Sequence, residues 1–426
     1  MNSVSIKPLA RPVEATIAIP GSKSYTNRAL LMAAMTPQDV RIVRPLMSDD
    51  TLAMMRCLDV LGIKCTKEEH SLVVHGNIGD IAEREYDLDA DLSGTTIRFL
   101  LALSTVIPGT KILHGKEGLN KRPIGDLVDS LRQLGAKIEY VEKEGFPPLR
   151  VSSSHLNSGT IRTNGSISSQ YLSAMLMIVP LVGELTIEVI GEQVSKPYID
   201  MTIDTMQKFG VHVENANYRQ YRIQGGQHYS CSEYTVEGDV SSASYFFAIA
   251  ALTRSKLTLT NLNPASVQAD MGFLKILQRM GNEITMGKNE IAIQGTGVKA
   301  VEVDMENCPD QAQTLAVLAA FAPGVTKISG VRSLRVKETE RVQALEQELA
   351  KMGIKTSSTD DTLTIHGGNP KPAQIDTHGD HRTAMAFAVA GAILPGMQIN
   401  DPDVVKKTFP EFWEKLNGVG VQTKIV

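Results

Sequence analysis

The sequence is poor in the features that mark several large classes of protein. Only 5% of its 426 residues are aromatic, Trp413 is the single tryptophan, and the formal net charge is −4. A face that binds nucleic acid needs clustered cations and aromatic platforms, so this composition argues against such a partner. No apolar run reaches the length of about 18 residues that a membrane-spanning helix needs, so we expect no membrane span.

Cysteine is also scarce. The four cysteines, Cys57, Cys65, Cys231 and Cys308, form no Cys-x-x-Cys pair and have no histidine at metal-binding spacing. We therefore expect free thiols in a reducing cytoplasm. Residues 1–20 show neither an apolar signal core nor an Arg- and Ser-rich amphipathic pattern, so we expect no targeting peptide.

What the sequence does contain is a repeated pattern. Six times an amphipathic stretch ends on an apolar residue followed by glycine, and successive glycines lie 73, 75, 71, 72 and 67 residues apart. Such a period indicates copies of one supersecondary unit, and a glycine in this position commonly caps a helix. The six pairs are Leu61-Gly62, Leu134-Gly135, Phe209-Gly210, Met280-Gly281, Met352-Gly353 and Val419-Gly420.

Each copy predicts two helices. About 40 residues before each glycine lies a run that is apolar on nearly every face, which is typical of a buried helix. The buried helices are predicted at 24–35, 97–107, 168–182, 241–252, 311–322 and 382–394. The amphipathic helices are predicted at 50–61, 123–134, 197–209, 268–280, 341–352 and 410–418. Pro123 is expected in the first turn of its helix, where a missing N–H is harmless.

Together these patterns predict an α/β protein built from six βαβαββ-like units. A chain of 426 residues is too long for one core, and six units divide naturally into two sets of three. We expect two similar lobes with buried helices inside and sheets outside. The predicted lobes are residues 21–238, and residues 1–20 together with 239–426. A strand at Ser3–Leu9 would complete the second lobe.

The starts of the buried helices carry most of the reactive side chains. Hydroxyls, amides and cations stand where helix N–H groups lack partners, and such helix ends bind anions. Lys23, Arg28, Arg98 and Arg382 lie beside the predicted core, where a cation is costly unless it is paired. If three starts from each lobe face a common cleft, we expect that cleft to bind anions although the chain as a whole is acidic.

Simpler interpretations stay open for single residues. Any one of the serines at these starts is compatible with an ordinary N-cap, and so is Asp310. The charged run from Arg335 to Arg341 is compatible with a solvated helix start, and a repeat scaffold that only binds partners is a further alternative. A nucleotide P-loop is disfavoured, because residues 15–20 lack the glycine required upstream of Lys23.

Nine motifs follow one another along the chain. They are Pro20-Gly-Ser-Lys-Ser with Asn27-Arg28, Ser93-Gly-Thr95 with Arg98, Arg122-Pro-Ile, Gly165-Ser-x-Ser-Ser-Gln170, Val194-Ser-Lys-Pro-Tyr198, Pro309-Asp310, Arg335-Val-Lys-Glu-Thr-x-Arg341, Asp380-His-Arg382 and Lys407-Thr-Phe-Pro410. In this order, and over the whole length, the chain resembles the 5-enolpyruvylshikimate-3-phosphate synthase family. The resemblance implies the two-lobed enolpyruvyl transferase fold, with three βαβαββ units in each lobe.

The resemblance also implies an activity. The family transfers the enolpyruvyl group of phosphoenolpyruvate to the 5-hydroxyl of shikimate 3-phosphate and releases phosphate, in the pathway to chorismate and the aromatic amino acids. No metal and no organic cofactor are implied, and we expect inhibition by glyphosate in competition with phosphoenolpyruvate. We expect a cytoplasmic monomer, because two lobes that share one site need no partner chain.

Roles for single residues follow from the same resemblance. Shikimate 3-phosphate would be held by Ser168, Ser169 and Ser195 at its phosphate, by Ser24 and Arg28 at its carboxylate, by Tyr198 at its ring, by Asp310 and Lys337 at its hydroxyls, and by Lys23 and Gln170. Phosphoenolpyruvate would be held by Lys23, Gly94, Arg122, Gln170 and Lys407 at its phosphate, and by Arg341 and Arg382 at its carboxylate. The candidate catalytic residues are Glu338, as acid toward the methylene carbon, Asp310, as base at the 5-hydroxyl, Lys23, at the leaving phosphate, and His381. An exchange of the acid and base roles between these groups is equally compatible with the resemblance.

The chain departs from the family pattern at two places. Asp91-Leu92 precedes Ser93-Gly94 where members usually carry Gly-Asn, and Ser333-Leu334 stands where many carry Asn-Trp. A carboxylate at Asp91 is expected to alter the affinity for phosphoenolpyruvate.

Two rival functions are weighed against this one. The sister transferase that acts on UDP-N-acetylglucosamine usually has a reactive cysteine in the loop before its Arg-Pro, whereas Gly115 to Lys121 contains none. An RNA-binding relative built on similar repeats would need a basic face and aromatic platforms, which the composition does not offer.

Overall fold

A computed structural model describes residues 2–152 and 154–426. Met1 and Ser153, which fall within the predicted lobes, lie outside the described residues. The chain divides into two compact units, which we call the N-terminal unit (Gly21–Val236) and the C-terminal unit (residues up to Pro20 together with Glu237–Val426). This division lies two residues before the boundary that the sequence suggests at 238.

The strands alternate with helices along the whole chain. The strands are β1 (Ser3–Lys7), β2 (Glu14–Ala18), β3 (Val40–Val43), β4 (Cys65–Lys67), β5 (Ser71–Val74), β6 (Glu85–Asp89), β7 (Thr110–His114), β8 (Ile138–Tyr140), β9 (Leu149–Val151), β10 (Gly159–Asn164), β11 (Leu185–Ile190), β12 (Glu214–Ala216), β13 (Gln220–Ile223), β14 (Glu233–Thr235), β15 (Lys256–Thr260), β16 (Glu283–Met286), β17 (Glu290–Gln294), β18 (Glu302–Asp304), β19 (Gly324–Ser329), β20 (Lys355–Ser358), β21 (Thr362–Gly367), β22 (Gln374–Ile375), β23 (Met397–Asn400) and β24 (Gln422–Ile425).

Helices of two kinds connect these strands. The α-helices are α1 (Lys23–Ala34), α2 (Asp49–Val60), α3 (Gly94–Ser104), α4 (Glu117–Asn120), α5 (Gly125–Gln133), α6 (Ser169–Val182), α7 (Lys196–Lys208), α8 (Val240–Thr253), α9 (Gly272–Arg279), α10 (Ala312–Phe321), α11 (Arg341–Lys351), α12 (His381–Gly391) and α13 (Phe412–Gly418). Short 3-10 helices cover Ile78–Asp80, Ala269–Met271, Pro309–Gln311, Arg332–Val336 and Pro402–Lys407.

The predicted helices are all present in the described part of the chain, with ends shifted by a few residues. The prediction for Pro123 was wrong: α5 begins at Gly125, because the Ile124 N–H donates to the Gly145 carbonyl (2.9 Å) and holds this residue outside the helix. The helix predicted at 268–280 is a 3-10 turn followed by α9. The six closing glycines have φ between 76° and 113°, a region that only glycine enters without strain.

The described residues form six four-stranded sheets with one pattern of strand pairing. In the sheet ordered β6-β7-β9-β8, β6 and β7 are parallel, whereas β9 is antiparallel to both of its neighbours. Helix α3 joins β6 to β7 and α5 joins β7 to β8, which makes a βαβαββ unit. The other sheets are ordered β14-β3-β5-β4, β10-β11-β13-β12, β16-β17-β15-β2, β18-β19-β21-β20 and β22-β23-β1-β24.

The first residues of the chain complete the C-terminal unit. Strand β1 lies between β23 and β24 and is antiparallel to both. Strand β2 pairs in parallel with β15. In the N-terminal unit the corresponding first strand is β14, which comes from the end of that unit and pairs in parallel with β3.

Each unit has its own hydrophobic core. In the N-terminal unit the core contains α1, α3 and α6, and α3 packs along α6. In the C-terminal unit α8, α10 and α12 pack on one another in the same way. The strands around them alternate buried and exposed residues, as in β6, which is the pattern of a sheet with one covered face. The α/β fold with buried helices and outer sheets is confirmed.

Two further expectations from the sequence concern membrane-spanning helices and the state of the cysteines. No helix of the described residues has the length and apolar character that a membrane span requires. All four cysteines of the described residues are free thiols, as predicted. Burial raises the pKa of Cys57 and of Cys308 to about 12, so both thiols stay protonated at neutral pH.

Candidate active-site residues in the two units

The first helix of the N-terminal unit brings Lys23 to an acidic partner. Ser22 is the N-cap of α1 and accepts a hydrogen bond from the Tyr25 N–H (3.5 Å), so Lys23 is the first helical residue. Its Nζ lies 3.2 Å from Oδ2 of Asp50, in the first turn of α2, and Asp50 is almost fully buried. The sequence did not indicate this pairing, because the two residues are far apart in the chain and nothing in their spacing connects them.

Arg28, one helical turn after Ser24, is the centre of a buried network. Its guanidinium donates to Thr202 Oγ1 (2.8 Å), to the carbonyl oxygens of Ser24 and Tyr198 (both 3.0 Å) and to Ser173 Oγ (3.4 Å). Burial lowers its pKa to about 10, which leaves it charged at neutral pH. Arg28 therefore ties α1 to the start of α7 before any ligand is considered.

The start of α3 faces two arginines. Ser93 caps the helix and accepts from the Thr96 N–H, as predicted. A Cβ atom placed on Gly94 would lie 2.7 Å from Nη1 of Arg122 and 2.9 Å from Nη1 of Arg98. The structure therefore brings Arg122 to Gly94 and Arg98, although Arg122 belongs to a different motif.

Gln170 joins this group through α6. Arg98 donates to Gln170 Oε1 (2.6 Å), and its guanidinium carbon lies 5.4 Å from the centre of the Tyr171 ring. The Tyr171 hydroxyl donates to the carbonyl oxygen of Pro123 (2.6 Å), and this bond fixes the position of Pro123, the residue after Arg122. A cluster of cationic and amide groups at helix starts has the chemistry that binds an anion.

The predicted phosphate-binding serines occupy two adjacent loops. Ser168 is the N-cap of α6 and accepts from the Gln170 N–H (3.3 Å), and Ser169 is the first residue of that helix. Ser195 precedes α7 with a left-handed backbone (φ 53°). The N–H of Val194 donates to the carbonyl oxygen of Gly165 (3.0 Å), which places the two loops side by side.

In the C-terminal unit, Arg341 gathers three carboxylates. It is the first residue of α11 and its side chain is 1% exposed. Its Nε donates to Asp380 (2.6 Å), Nη2 to Glu338 (2.8 Å) and Nη1 to Asp310 (3.2 Å). Burial acts to lower the pKa of Arg341, but the carboxylates of Asp380, Glu338 and Asp310 raise it above its ordinary value, so the guanidinium is permanently charged.

Asp310 bridges two arginines. One of its oxygens accepts from Arg341 and the other accepts from Nη2 of Arg382 (2.8 Å). Asp310 lies inside the 3-10 helix Pro309–Gln311, so its interpretation as an ordinary N-cap was wrong. Arg382 also donates to the Tyr245 hydroxyl (3.4 Å). Glu338 and Asp310 are thus held by one guanidinium.

The remaining predicted residues are placed as follows. His381 is the first residue of α12, is buried, and has its Nδ1 3.4 Å from Asp380 Oδ1. Lys407 is the last residue of the 3-10 helix Pro402–Lys407 and is also buried. Lys337 directly follows the 3-10 helix Arg332–Val336. Among the described residues no group of His, Cys, Asp and Glu side chains has the arrangement of a metal site.

Comparison with known proteins connects the chain with a family. The sequence model for EPSP synthase (3-phosphoshikimate 1-carboxyvinyltransferase) matches residues 9–416. The chain belongs to the EPSP synthase family. The resemblance that the nine motifs suggest is therefore confirmed.

Curated relatives agree with the EPSP synthase assignment. The chain is 42% identical to the 3-phosphoshikimate 1-carboxyvinyltransferase of Sulfurovum sp. (strain NBC37-1), with 98% of this chain and 99% of the relative covered. It is 41% identical to that of Shewanella amazonensis, with 97% and 98% covered, and 40% identical to that of Methanoculleus marisnigri, with 96% and 98% covered.

Solved structures of EPSP synthases show the same fold. Two structures of EPSP synthase from Acinetobacter baumannii align over 100% of both chains, with TM-scores of 0.85 and 0.82 at 25% and 24% identity. The fold is therefore retained where three quarters of the residues differ.

Proposed function

We propose that this chain is a 3-phosphoshikimate 1-carboxyvinyltransferase. It transfers the enolpyruvyl group of phosphoenolpyruvate to the 5-hydroxyl of shikimate 3-phosphate and releases phosphate. The observation that carries the proposal is the match of the EPSP synthase family over residues 9–416, together with full-length relatives of that name at about 40% identity.

The arginine, lysine and amide groups of the N-terminal unit suit the phosphate of phosphoenolpyruvate. Gly94, Arg98, Arg122 and Gln170 lie together. Lys23, paired with Asp50, brings a further cation on the neighbouring helix α1. A phosphate group needs several donors at once, and cations next to helix starts supply charge and N–H groups together. We assign Lys23, Gly94, Arg122, Gln170 and Lys407 to this phosphate, with Arg98 as an addition.

The serines of the adjacent loops suit the phosphate of shikimate 3-phosphate. Ser168, Ser169 and Ser195 offer hydroxyl donors at the starts of α6 and α7. We assign them to this phosphate, and Tyr198 to the ring. Arg28 with Ser24 is assigned to the carboxylate; since its guanidinium already donates to four protein acceptors, some of these bonds must be exchanged or shared on binding.

The C-terminal unit supplies groups for the carboxylate and for proton transfer. Arg341 and Arg382 are assigned to the carboxylate of phosphoenolpyruvate, because planar guanidinium groups match a carboxylate. Asp310 and Lys337 are assigned to the hydroxyls of shikimate 3-phosphate. Asp310 accepts hydrogen bonds from both arginines, so binding of the substrate carboxylate is expected to compete with Asp310 for their donors.

The chemistry requires an acid and a base. The methylene carbon of phosphoenolpyruvate gains a proton, for which Glu338 is the proposed donor. The 5-hydroxyl attacks the adjacent carbon and loses its proton, for which Asp310 is the proposed acceptor. The tetrahedral intermediate then expels phosphate by C–O cleavage, while the methyl group returns a proton to the Glu338 carboxylate and the double bond re-forms. Lys23 is proposed to stabilise the leaving phosphate, and His381 to hold Asp380 next to Arg341.

The proposal also includes the oligomeric state and the cellular compartment of the protein. All assigned residues belong to one chain, which supports a monomer that acts on two small anions without a nucleic-acid partner. The free cysteines of the described residues support a reducing compartment such as the cytoplasm. Sedimentation velocity with and without both substrates would reveal any oligomer.

Phosphate release tests the function directly. Phosphoenolpyruvate is supplied with either shikimate 3-phosphate or UDP-N-acetylglucosamine, and phosphate is measured with time. Release is expected only with shikimate 3-phosphate, and Lys23→Met is expected to lower kcat by about a hundredfold, in the range found for groups that stabilise developing charge. Lys67→Met, at an exposed lysine of β4, is the matched control. Release only with the nucleotide sugar would contradict the proposal.

A further inference from the structure

A buried carboxyl group, that of Asp270, has no role in the assignments above. Its segment packs against the segment that carries Asp310, since a Cβ atom placed on Gly272 would lie 3.4 Å from Sγ of Cys308. Asp270 lies in the 3-10 helix Ala269–Met271 and is 4% exposed. Its Oδ2 accepts a hydrogen bond from the hydroxyl of Ser241, in the first turn of α8. Its Oδ1 is buried and has no hydrogen-bond partner within the described residues. A carboxylate in such a place is costly, so a purely structural role is served better by a neutral side chain.

Charged and titratable groups surround Asp270 on several elements. Asp239, the N-cap of α8, and Asp310 add negative charge, whereas Arg382 of α12 adds positive charge. Burial first, and then the charges of Asp310 and Asp239, raise the pKa of Asp270 to about 6, although Arg382 and the Ser241 hydrogen bond act in the opposite direction. Cys308, whose pKa is raised to about 12 mainly by burial, stays a neutral thiol beside it. Asp270 is therefore negatively charged at neutral pH and neutral in mild acid.

The negative charge of Asp270 bears on the base proposed for the reaction. Two neighbouring carboxylates disfavour each other's ionised form, so each holds a proton more readily than it would alone. Asp310 is also bound to Arg341 and Arg382, and two guanidinium groups by themselves would make it a weak base. A second carboxylate opposes that effect.

We propose that Asp270 is a positioning residue for enolpyruvyl transfer, whose buried negative charge next to Asp310 keeps Asp310 basic enough to accept the proton of the 5-hydroxyl. The proposal rests on the proposed function, in which Asp310 takes this proton as the new C–O bond forms. Asp270 itself touches no reacting atom and exchanges no proton with the substrates. Arg382 and the hydrogen bond from Ser241 favour the ionised carboxylate near neutral pH.

The central test is Asp270→Asn, which keeps the size of the side chain and its ability to accept from Ser241. The pH dependence of phosphate release is measured from about pH 5 to about pH 9 with both substrates saturating. We expect kcat on the plateau to fall about tenfold, and the acidic limb to move about one pH unit lower, because no Asp270 remains to be neutralised and Asp310 is less basic. The KM of each substrate is expected to change less than about threefold, because neither substrate touches Asp270.

Ser241→Ala is expected to shift the acidic limb of the pH profile in the opposite direction. Loss of the hydroxyl removes a hydrogen bond that favours the ionised carboxylate, so the acidic limb is expected to move to higher pH while the plateau stays near the wild-type value. Asp360→Asn, at an exposed aspartate of the same unit, is the matched control and should leave the profile unchanged. Ser241→Ala also carries the test by itself if Asp270→Asn does not fold, as judged by its thermal unfolding.

A double variant tests whether Asp270 affects the reaction through Asp310 or in some other way. In an Asp310→Asn background, Asp270→Asn should cause no further fall in kcat, because the base it supports is gone. Independent losses that multiply would overturn the proposal, and so would an Asp270→Asn profile that superimposes on the wild type. A wild type that releases no phosphate with shikimate 3-phosphate would instead overturn the proposed function, and the role of Asp270 with it.

Discussion

At the scale of single residues, Gly94 packs against two guanidinium groups that leave no room for a side chain. Gly94→Ala would place a methyl group 2.7 Å from Arg122 and 2.9 Å from Arg98, closer than any carbon contact allows, so both side chains must move. Losing one charged hydrogen bond costs about 1.5–3 kcal/mol, so we expect the KM of phosphoenolpyruvate to rise roughly tenfold to a hundredfold. Steady-state kinetics would measure this rise.

A matched alanine substitution makes that result specific. Gly418, at the end of α13, has open space where a Cβ would be, so Gly418→Ala should leave both KM values unchanged. If Gly94→Ala raised the KM of shikimate 3-phosphate instead, the assignment of Gly94 and Arg122 to the phosphate of phosphoenolpyruvate would be wrong.

The buried side chain of Lys111 is expected to make the stability of the protein depend on pH. It is fully buried and donates to the carbonyl oxygens of Ile107 (2.7 Å) and Gly109 (2.6 Å). Burial lowers its pKa to about 8, whereas a lysine in an unfolded chain titrates at about 10.4. Between these values the unfolded chain binds a proton that the folded chain has lost, so Lys111 makes the free energy of unfolding rise with pH. Below about pH 8 both states hold the proton and this dependence vanishes.

Comparison with Lys111→Met isolates the effect, because methionine does not titrate. Urea unfolding of both proteins is measured at several pH values from about 7 to about 10. The stability of the wild type minus that of Lys111→Met should be constant up to about pH 8 and increase above it. A difference that is flat throughout would contradict the lowered pKa.

At the scale of elements, Asp91 connects the loop before α3 with two neighbours. Its carboxylate lies 2.9 Å from Nζ of Lys116 and 3.7 Å from Nη2 of Arg56, and its backbone is left-handed (φ 53°). The sequence led us to expect an altered affinity for phosphoenolpyruvate, but a carboxylate already paired with two cations adds little to the field that a substrate meets.

Asp91→Asn tests this pairing, because asparagine also tolerates the left-handed backbone. We expect the stability to fall by less than about 1 kcal/mol, as for exposed ion pairs. The KM of phosphoenolpyruvate should change less than about threefold, and raising the salt concentration should reduce the difference between the proteins. A tenfold fall in this KM would show that the charge of Asp91 does reach the substrate.

At the scale of the whole molecule, each unit has its own core, but the units differ in how they are assembled. The N-terminal unit is continuous from Gly21 to Val236, so we expect that fragment to fold alone and to unfold cooperatively in urea. The C-terminal unit takes β1 and β2 from the first twenty residues.

Removal of residues 2–20 should therefore damage the C-terminal unit alone. The gap between β23 and β24 would expose unpaired backbone groups, and β15 would lose its parallel neighbour, which is a large loss for a sheet. Backbone NMR of the truncated chain should show dispersed signals for residues 21–236 and collapsed signals for the rest. Retained dispersion in both sets would contradict this description of the C-terminal unit.

The sequence alone determined the elements and their order. Hydrophobic periodicity and closing glycines located the helices, because a buried helix must be apolar all round and a left-handed cap favours glycine. The repeat period implied two lobes and six units, and the nine motifs indicated the family. Where these patterns failed, as at Pro123, a tertiary hydrogen bond between Ile124 and Gly145 set the helix start.

The tertiary structure decided which charges meet. Lys23 with Asp50, Asp310 between Arg341 and Arg382, and the buried Asp270 against Ser241 join residues that are distant in the chain. Periodicity describes which face of an element is buried, but not which side chain of another element stands opposite. Electrostatic energies depend on distance and burial, so the proton affinities of these groups are set only once the fold of each unit has brought its own charges together.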